Sequence, residues 1–328
     1  MIRQIPSGAT VLVACSGGPD SLALAAGLAF EGPKAGLRAG ALVVDHALQP
    51  GSAAVADAAG AACATLGLDP VEVIRVEVSP GRSGVEDAAR QARYAALEAA
   101  AGRHTAALVL LGHTRDDQAE QVLLGLARGS GARSLSGMPP ARGPFARPLL
   151  GVSRAQTEAA CAALGLTAWR DPHNADPAYA RVRARQAIGV LEQALGPGLA
   201  ASLARSATLL RDDAGLLDEL ASRARARLTE PAEDSAPNGF VGPPGGPLRV
   251  SGTRVSAIEL AALHPALRRR IWRILAAEAG ARALTAVHLD LLDGLVTRWR
   301  GQGPVDLPGQ VMAARSAGVL SLHRAPPG

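Results

Sequence analysis

TVLVACSGGPDSLALAAGL, residues 10–28, joins an apolar, β-branched run to an alanine- and leucine-rich run through the pair Gly17-Gly18. The pattern predicts a strand, a glycine turn and the start of a helix. Glycine backbone can approach an anion closely, and the unpaired N–H groups of a helix N-terminus point toward it. Ser16 and Ser21 add hydroxyl donors, and the Asp20 carboxylate offers the oxygen ligands that Mg²⁺ prefers. The stretch therefore predicts a phosphate-binding loop with a magnesium ion held by Asp20.

A glycine turn that binds nothing is the simpler alternative. The strand–turn–helix context disfavours it, because all six positions of the pattern are present: Ser16, Gly17, Gly18, Pro19, Asp20 and Ser21. A Walker loop requires a lysine after its second glycine, and the single lysine of the chain, Lys34, lies in the unrelated context EGPK. The Rossmann glycine pattern does not follow the first strand either. The loop is thus a different kind of phosphate site.

Length and composition predict a cytoplasmic protein of two domains that does not use a membrane. The chain has 328 residues, enough for two cores. It has neither an apolar run near the ~20 residues of a membrane span nor a signal-peptide pattern. Its three cysteines, Cys15, Cys63 and Cys161, form neither a disulfide framework nor a C-x-x-C pair.

The charge balance is compatible with a nucleic-acid partner. The 34 basic residues exceed the 29 acidic ones, giving a net charge of +5, and almost all the positive charge is arginine. Arginine recognises phosphate bidentately and stacks on bases. A GC-rich coding bias would also replace lysine by arginine, so the charge alone does not decide the partner.

Strand and helix patterns alternate through the first half of the chain. Strands are predicted at residues 10–15, 39–45, 70–78 and 107–111, with helices at 21–30, 52–66 and 84–102 between them. This alternation predicts an α/β fold with a doubly wound, mostly parallel sheet. Ligands bind at the carboxyl ends of such strands, where the loop 16–21, Asp45-His46 and Gly112-His113 all fall.

The second half predicts a smaller, mainly helical domain. Gly196-Pro197-Gly198 is the expected boundary, which gives a catalytic domain at residues 1–195 and a helical domain at 198–328 that ends in short strands. Helices are expected at 199–228, 264–279 and 285–300, and an exposed loop at 229–247. The run Arg268-Arg269-Arg270 predicts a surface that binds nucleic acid, with a merely solvated helix as the alternative.

Two further clusters carry candidate chemistry. In LGHTRDDQAE, residues 111–120, Thr114 and Asp117 fit a capping box, so Asp117 could simply start a helix, and His113 could be a satisfied strand-end histidine. Their place at the same sheet edge as the phosphate loop favours a functional role. Arg181 and Arg185 share one face of a predicted helix, for which a solvated arginine-rich face is the alternative.

Taken in chain order, these motifs resemble the bacterial tRNA(Ile)-lysidine synthases of the PP-loop ATP pyrophosphatase superfamily. The resemblance rests on S-G-G-x-D-S, D-H-x-L, A-R-x-x-R-Y, G-H-x-x-D-D-Q-A-E with R-G-S-G, R-P-L-L at 147–150 and D-P-x-N-x-D-x-x-Y-x-R at 171–181. It covers residues 10–190, and PVDLPG at 304–309 resembles the first C-terminal domain of that family. The second C-terminal domain of longer members is expected to be missing.

The resemblance implies a PP-loop fold related to the adenine nucleotide α-hydrolases and an ATP-dependent ligation. ATP adenylates C2 of the wobble cytidine in a CAU-anticodon tRNA(Ile), free L-lysine then displaces AMP, and the tRNA changes identity from methionine to isoleucine. The implied cofactors are ATP and Mg²⁺, and the oligomeric state is left open, with a homodimer as one alternative.

The same resemblance assigns the site residues. The implied catalytic residues are Asp20, Arg93, His113, Asp117 and Arg185. The ATP-binding residues are the loop 16–21 together with Asp45 and His46, and the tRNA-binding residues are Arg128 and Arg181, to which the basic run 268–270 is added. Either His113 or Asp117 could deprotonate the lysine amine. The chain departs from the family pattern at Gln49, Thr114, His173 and Val182.

Two other classes of function share some of these features. A related PP-loop enzyme, such as a tRNA thiolase or an amidotransferase-type synthetase, would have the same ATP loop but would also show paired cysteines or a glutaminase domain. A non-catalytic RNA-binding module would explain the basic charge and leave the phosphate loop without a use.

Overall fold

The apolar run after residue 9 forms β1 (Thr10–Ala14), a central strand of a six-stranded sheet. The structure is a computed structural model that describes residues 5–47, 49–77, 85–129, 131–172, 176–228 and 253–324. On either side of β1, β2 (Arg38–Asp45) and β4 (Ala106–Leu111) pair with it in parallel, and β3 (Val71–Arg75) extends the sheet beyond β2.

The far edge of the sheet is a short hairpin that the sequence did not reveal. Its strands are β5 (Ala141–Arg142) and β6 (Phe145–Ala146); β6 pairs in parallel with β4, and β5 is antiparallel to β6. The strand order is β3-β2-β1-β4-β6-β5. The predicted doubly wound, mostly parallel α/β fold is therefore confirmed.

Helices cover both faces of this sheet. α1 (Pro19–Lys34) and α2 (Ser52–Thr65) pack on one face, and α3 (Val85–Arg103) packs on the other. The helices that follow along the chain are α4 (Arg115–Ala127), α5 (Ala132–Leu135), α6 (Arg154–Ala163), α7 (Ala180–Leu195) and α8 (Leu199–Arg227). Successive side chains of β1 point to opposite faces, so Val11 and Val13 join one buried cluster and Leu12 joins the other. Burial on both faces explains why this strand is continuously apolar.

The second part of the chain builds a separate antiparallel sheet with the order β7-β10-β9-β8. Its strands are β7 (Thr253–Ser256), β8 (Val305–Leu307), β9 (Val311–Ser316) and β10 (Val319–Arg324), and its helices are α9 (Ala257–Ala261), α10 (Pro265–Glu278) and α11 (Ala286–Thr297). Trp272, Leu292 and Leu320 are fully buried in its core. The expected loop at 229–247 lies outside the described residues.

The chain divides into two compact units, residues 1–211 and 212–328, with the division inside α8. The predicted boundary at 196–198 lies at the turn between α7 and α8. Within the described residues, no single helix is long and apolar enough to cross a membrane; α7 and α8 together, bent by 107°, meet a criterion of length and composition alone.

Candidate active site

The phosphate loop links β1 to α1, as the glycine pattern predicted. Gly17 has a φ of +79°, a conformation that glycine adopts without strain. Gly18 is the N-cap of α1, and no side chain caps this helix. Pro19 occupies the first helical position, so the free donors of the first turn belong to the residues after it. The start of α1 thus presents backbone N–H groups to an anion.

Ser16 and Ser21 hold the loop closed from inside. The Ser21 hydroxyl donates to the carbonyl of Gly18 at 2.9 Å and accepts from the backbone N–H of Ser16 at 3.1 Å. The two hydroxyl oxygens are 3.3 Å apart. The Gly17 carbonyl accepts from the N–H of Trp169 at 2.9 Å. These bonds fix the shape of the loop before any ligand arrives.

Gly112 allows the end of β4 to touch the start of α1. A Cβ at this position would lie 3.0 Å from the Ser21 Cα and 3.2 Å from the Asp20 carbonyl carbon, which are backbone atoms that cannot move aside cheaply. The loops after β1 and β4 are therefore in backbone contact, so the sheet edge brings His113 beside the phosphate loop.

Asp20 is held by two side chains from α6. Its Oδ1 accepts from the Thr157 hydroxyl at 2.5 Å, and its Oδ2 lies 3.3 Å from Arg154 Nε. Burial raises the pKa of Asp20 above its usual value, with the charges of Asp117 and Asp116 adding to the rise, while Thr157 and Arg154 oppose it. Burial therefore destabilises the charged carboxylate, and a cation bound beside it would stabilise it.

Asp117 lies within reach of the same arginine. Its Oδ2 accepts from the backbone N–H of Thr114 at 2.7 Å and from the Thr114 hydroxyl at 3.0 Å, so it does close the first turn of α4. Its Oδ1 accepts from Arg154 Nη2 at 3.4 Å. Structural capping and a place in the site are thus combined in one carboxylate.

The residues at Asp20 suit a magnesium ion that is completed by phosphate oxygens. Among the described residues, no group of three or more His, Cys, Asp or Glu side chains could cage a metal ion. Mg²⁺ is usually held by one or two carboxylates plus substrate phosphates rather than by a protein cage. A single destabilised carboxylate next to a helix N-terminus fits that requirement.

The charges of three arginines act on His113. Burial lowers the pKa of His113 to about 4, opposed by Asp117, with the charges of Arg147, Arg93 and Arg181 adding to the lowering. The imidazole is neutral near pH 7. Its Nδ1 is buried and has no hydrogen-bond partner in the described part of the protein.

His46, at the end of β2, faces the same positive field. Burial lowers the pKa of His46, and Arg93 contributes to the lowering. Arg93 also lies over the Tyr94 ring, with 5.6 Å between its guanidinium carbon and the ring centroid. The predicted residues Arg93, His46 and His113 are thus close enough to influence one another, and their shared field suits an anionic substrate.

The groups around Asp45 mainly hold the backbone turn after β2 in place. Burial works against its charge, but the Ala47 N–H, the Ser52 hydroxyl and Arg75 together lower the pKa of Asp45. Its Oδ1 accepts from the Ala47 N–H at 2.9 Å. This carboxylate shapes the turn after β2, which carries His46 to the sheet edge.

Arg185 is fixed by a carboxylate that the predicted site omitted. Its Nε donates to Glu120 Oε1 at 2.7 Å. The Glu120 side chain is 1% exposed, and its Oε2 has no hydrogen-bond partner among the described residues. Burial raises the pKa of Glu120, against the effect of Arg185. The motif G-H-x-x-D-D-Q-A-E contains Glu120, so its position was a usable signal.

The predicted tRNA-binding arginines have different environments. Arg128 follows α4 on the exposed surface, and Arg181 begins α7. Arg268 is 6% exposed and pairs with Asp293, with 2.5 Å between Nε and Oδ1. Arg269 pairs with Asp290 at 2.9 Å with both side chains exposed, and Arg270 pairs with Asp218 at 2.9 Å. The burial of Arg268 favours a structural role for this residue, whereas Arg269 remains accessible.

Three of the four departures from the family pattern have defined surroundings. Thr114 is fully buried and bonds Asp117, and Val182 is buried on α7. Gln49 Nε2 donates to Asp171 Oδ1 at 3.3 Å. His173 lies outside the described residues. The buried departures are thus integrated into the packing rather than left as gaps.

Arg154 and Thr157 are the site residues that sequence reasoning missed. Ser153 caps α6 by accepting from the N–H of Gln156, and this S-x-x-Q pattern could have located the start of the helix. It could not have shown that the first turn of α6 reaches Asp20, because that contact joins residues 137 positions apart.

Comparison with known proteins finds similarity over nearly the whole chain. The PP-loop domain profile matches residues 2–192, and the TilS substrate binding domain profile matches residues 256–321. The chain is 52% identical to the tRNA(Ile)-lysidine synthase of Thermobifida fusca, covering 97% of this chain and 93% of that protein. It is 51% identical to that of Streptomyces coelicolor, with 98% and 87% coverage, and 47% identical to that of Mycobacterium bovis, with 96% and 91%.

A solved structure is similar in fold. A U34-tRNA thiolase from Methanococcus maripaludis superposes with a TM-score of 0.52 at 19% identity, covering 64% of this chain and 77% of that chain. At this identity the likeness concerns the fold alone.

Proposed function

The chain belongs to the tRNA(Ile)-lysidine synthase family of ATP-utilising PP-loop enzymes, and on that premise we propose that it joins free L-lysine to C2 of the wobble cytidine in CAU-anticodon tRNA(Ile). The observation that carries this proposal is the sheet edge, where the phosphate loop, Asp20, Asp117 and the arginine field around His113 converge. The reaction takes place in the cytoplasm, where tRNA, ATP and free lysine are found together.

The first step activates the base. The C2 oxygen of cytosine attacks the α-phosphorus of ATP, the bond to the β-phosphate breaks, and pyrophosphate leaves. The backbone N–H groups at the start of α1 hold the leaving pyrophosphate, with the Ser16 and Ser21 hydroxyls keeping the loop in shape. Mg²⁺, held by Asp20, would neutralise the developing phosphate charge.

The second step replaces AMP by lysine. The lysine side chain has a reference pKa of ~10.4, so its ammonium must lose a proton before the amine attacks C2. Two groups can take this proton: the Asp117 carboxylate, and the His113 imidazole, whose unpartnered Nδ1 is a weak base because its pKa is about 4.

The arginines balance charge at the reacting centre. Arg185, oriented by its 2.7 Å bond to Glu120, and Arg93 offset the negative charge of the departing AMP. Arg128 and Arg181 hold tRNA phosphates, and the exposed Arg269 extends the basic surface of the second unit.

The test is lysine-dependent release of AMP with a CAU-anticodon tRNA(Ile) transcript and ATP. We expect AMP and pyrophosphate in equal amounts, and a tRNA that gains the mass of lysine less one water. The matched control is the same transcript with uridine at the wobble position, which should release neither. ATP turnover that ignores lysine would favour another PP-loop enzyme, and tRNA binding without turnover would favour a binding module; either result would overturn the proposal.

A further inference from the structure

Arg154 contacts both carboxylates of the site from the first turn of α6. Its Nε lies 3.3 Å from Asp20 Oδ2, and its Nη2 donates to Asp117 Oδ1 at 3.4 Å. The backbone N–H of the same residue donates to Asp116 Oδ2 at 2.9 Å. One residue therefore ties α6 to the phosphate loop and to the first turn of α4.

Thr157 completes this arrangement one turn later. Its hydroxyl donates to Asp20 Oδ1 at 2.5 Å and lies 2.8 Å from the carbonyl of Arg154. Both oxygens of Asp20 thus face side chains of α6. The Arg154 side chain is 26% exposed, so it is mostly buried but still accessible to solvent.

A guanidinium suits this place for a geometric reason. Its planar fork holds two carboxylates at a fixed separation, which a lysine ammonium cannot do. Asp20 and Asp117 have the same charge and would repel each other if nothing lay between them. In the proposed function Asp20 holds the Mg²⁺ ion of the phosphates, and Asp117 lies beside the cytosine. The distance between the two carboxylates therefore sets the distance between the α-phosphate and the base.

We propose that Arg154 is a positioning residue that sets the distance between Asp20 and Asp117, and thereby aligns the α-phosphate with the cytosine. Thr157 supports it by fixing the other oxygen of Asp20. The inference rests on the proposed function, which it extends to a residue that the predicted site did not include.

The test compares Arg154→Lys, Arg154→Gln and Gln156→Ala in the full chain. Gln156→Ala is the matched control, because it weakens the cap of the same helix without touching either carboxylate. Pyrophosphate release with ATP and CAU tRNA is measured with L-lysine present, so that the adenylated tRNA is consumed and the enzyme turns over. For Arg154→Lys we expect kcat to fall about tenfold with little change in the KM for ATP, because the charge stays while the fork is lost. Gln156→Ala should keep its kcat.

A second readout does not depend on turnover. Arg154→Gln leaves two carboxylates, Asp20 and Asp117, without their guanidinium, so Mg²⁺ alone, without ATP, should raise its thermal unfolding temperature more than that of the wild type. Equal kcat values for Arg154→Lys and Gln156→Ala, or an equal Mg²⁺ effect in Arg154→Gln and the wild type, would overturn the inference. Failure of the proposed function looks different, since the wild type itself would then release no pyrophosphate.

Discussion

Charge is concentrated in two regions of this protein, the carboxyl edge of the first sheet and helix α10, and it is arranged differently in each. At the sheet edge several buried polar atoms have no partner in the described part of the chain: His46 Nδ1, His113 Nδ1 and Glu120 Oε2. On α10, three consecutive arginines each face a carboxylate, namely Asp293, Asp290 and Asp218. On α10 the Trp272 Nε1 is also buried without a partner in the described residues, but it belongs to a group that does not titrate. At the sheet edge the unpartnered atoms belong to ionisable side chains, and folded proteins satisfy nearly all buried polar groups, so the edge is the region that a substrate would complete.

The comparison shows that charge density in a sequence does not by itself identify a binding surface. The run 268–270 is the densest basic stretch, yet its first arginine is buried. The charges of the sheet edge come from separate segments of the chain, and burial there shifts the pKa of Asp20 upward and that of His113 downward. Substitutions in the two regions should therefore affect different properties, activity in one and stability in the other.

The largest effect is expected for Asp20→Asn at the sheet edge. A neutral amide holds Mg²⁺ poorly, so pyrophosphate release with ATP and tRNA should fall at least about 100-fold. Binding of tRNA, measured with EDTA present, should not change. Asp57→Asn, an exposed change of the same kind on α2, serves as the control and should leave release unaltered. Near-normal release by Asp20→Asn would remove this carboxylate from the machinery.

A large effect on stability, rather than on chemistry, is expected for Arg268→Ala on α10. Removing one partner of a buried ion pair leaves Asp293 uncompensated, which costs about 3–5 kcal/mol of unfolding free energy. Arg269→Ala, in an exposed pair, should cost no more than about 1 kcal/mol. Urea denaturation of the two variants measures the difference.

The double variant Arg268→Ala with Asp293→Ala checks the cause of that loss. It should be more stable than Arg268→Ala alone, because no unpaired charge remains. If Arg268→Ala and Arg269→Ala lost the same unfolding free energy, burial would not distinguish Arg268 from Arg269.

A moderate, pH-dependent effect is expected at His113. Burial holds the pKa of its folded state at about 4, below the ordinary value of 6.5. Between these values the unfolded chain binds a proton that the folded protein does not, so His113 lowers stability as the pH falls from 6.5 toward 4. In His113→Gln this contribution is lost, and unfolding free energies at pH 5 and pH 7.5 should differ less than in the wild type. An unchanged pH dependence would show that His113 is not buried in its neutral form.

Local pattern was sufficient to predict the strand, turn and helix that carry residues 16–21, whereas phosphate binding by this loop stays a prediction. A strand, two glycines and a helix start are fixed by neighbours in the sequence, and the observed β1 and α1 follow the expected segments. The parallel order of the strands was equally accessible, because continuous apolar runs alternating with helices admit few arrangements. From these two inferences the approach of Gly112-His113 to the loop follows directly.

Long-range pairing was not predictable in the same way. Nothing in the sequence near Arg154 indicates that this residue contacts Asp20. Nothing in the run 268–270 indicates that Arg268 is buried and pairs with Asp293. The hairpin of β5 and β6 was also missed, since each strand has only two residues and shows no period. Contacts between residues far apart in the sequence depend on the tertiary fold. Composition and periodicity do not show which two residues such a contact joins.

The smallest effect is expected for Arg269→Gln, which tests whether α10 contributes to tRNA binding at all. Its pair with Asp290 is exposed, so opening the pair costs at most about 1 kcal/mol and a tRNA phosphate can replace the carboxylate. Losing one phosphate contact should weaken binding slightly and reduce the slope of log affinity against log salt by about 1.

The control is Arg223→Gln on α8, which removes an arginine from a similar exposed pair with Glu219 outside the run 268–270. Filter binding of CAU-anticodon tRNA(Ile) over a range of salt concentrations measures both variants. If Arg269→Gln and Arg223→Gln have the same slope as the wild type, the arginines of α10 form a solvated structural face. Substitutions at the sheet edge would then affect function, and substitutions of the arginines on α10 would affect stability alone.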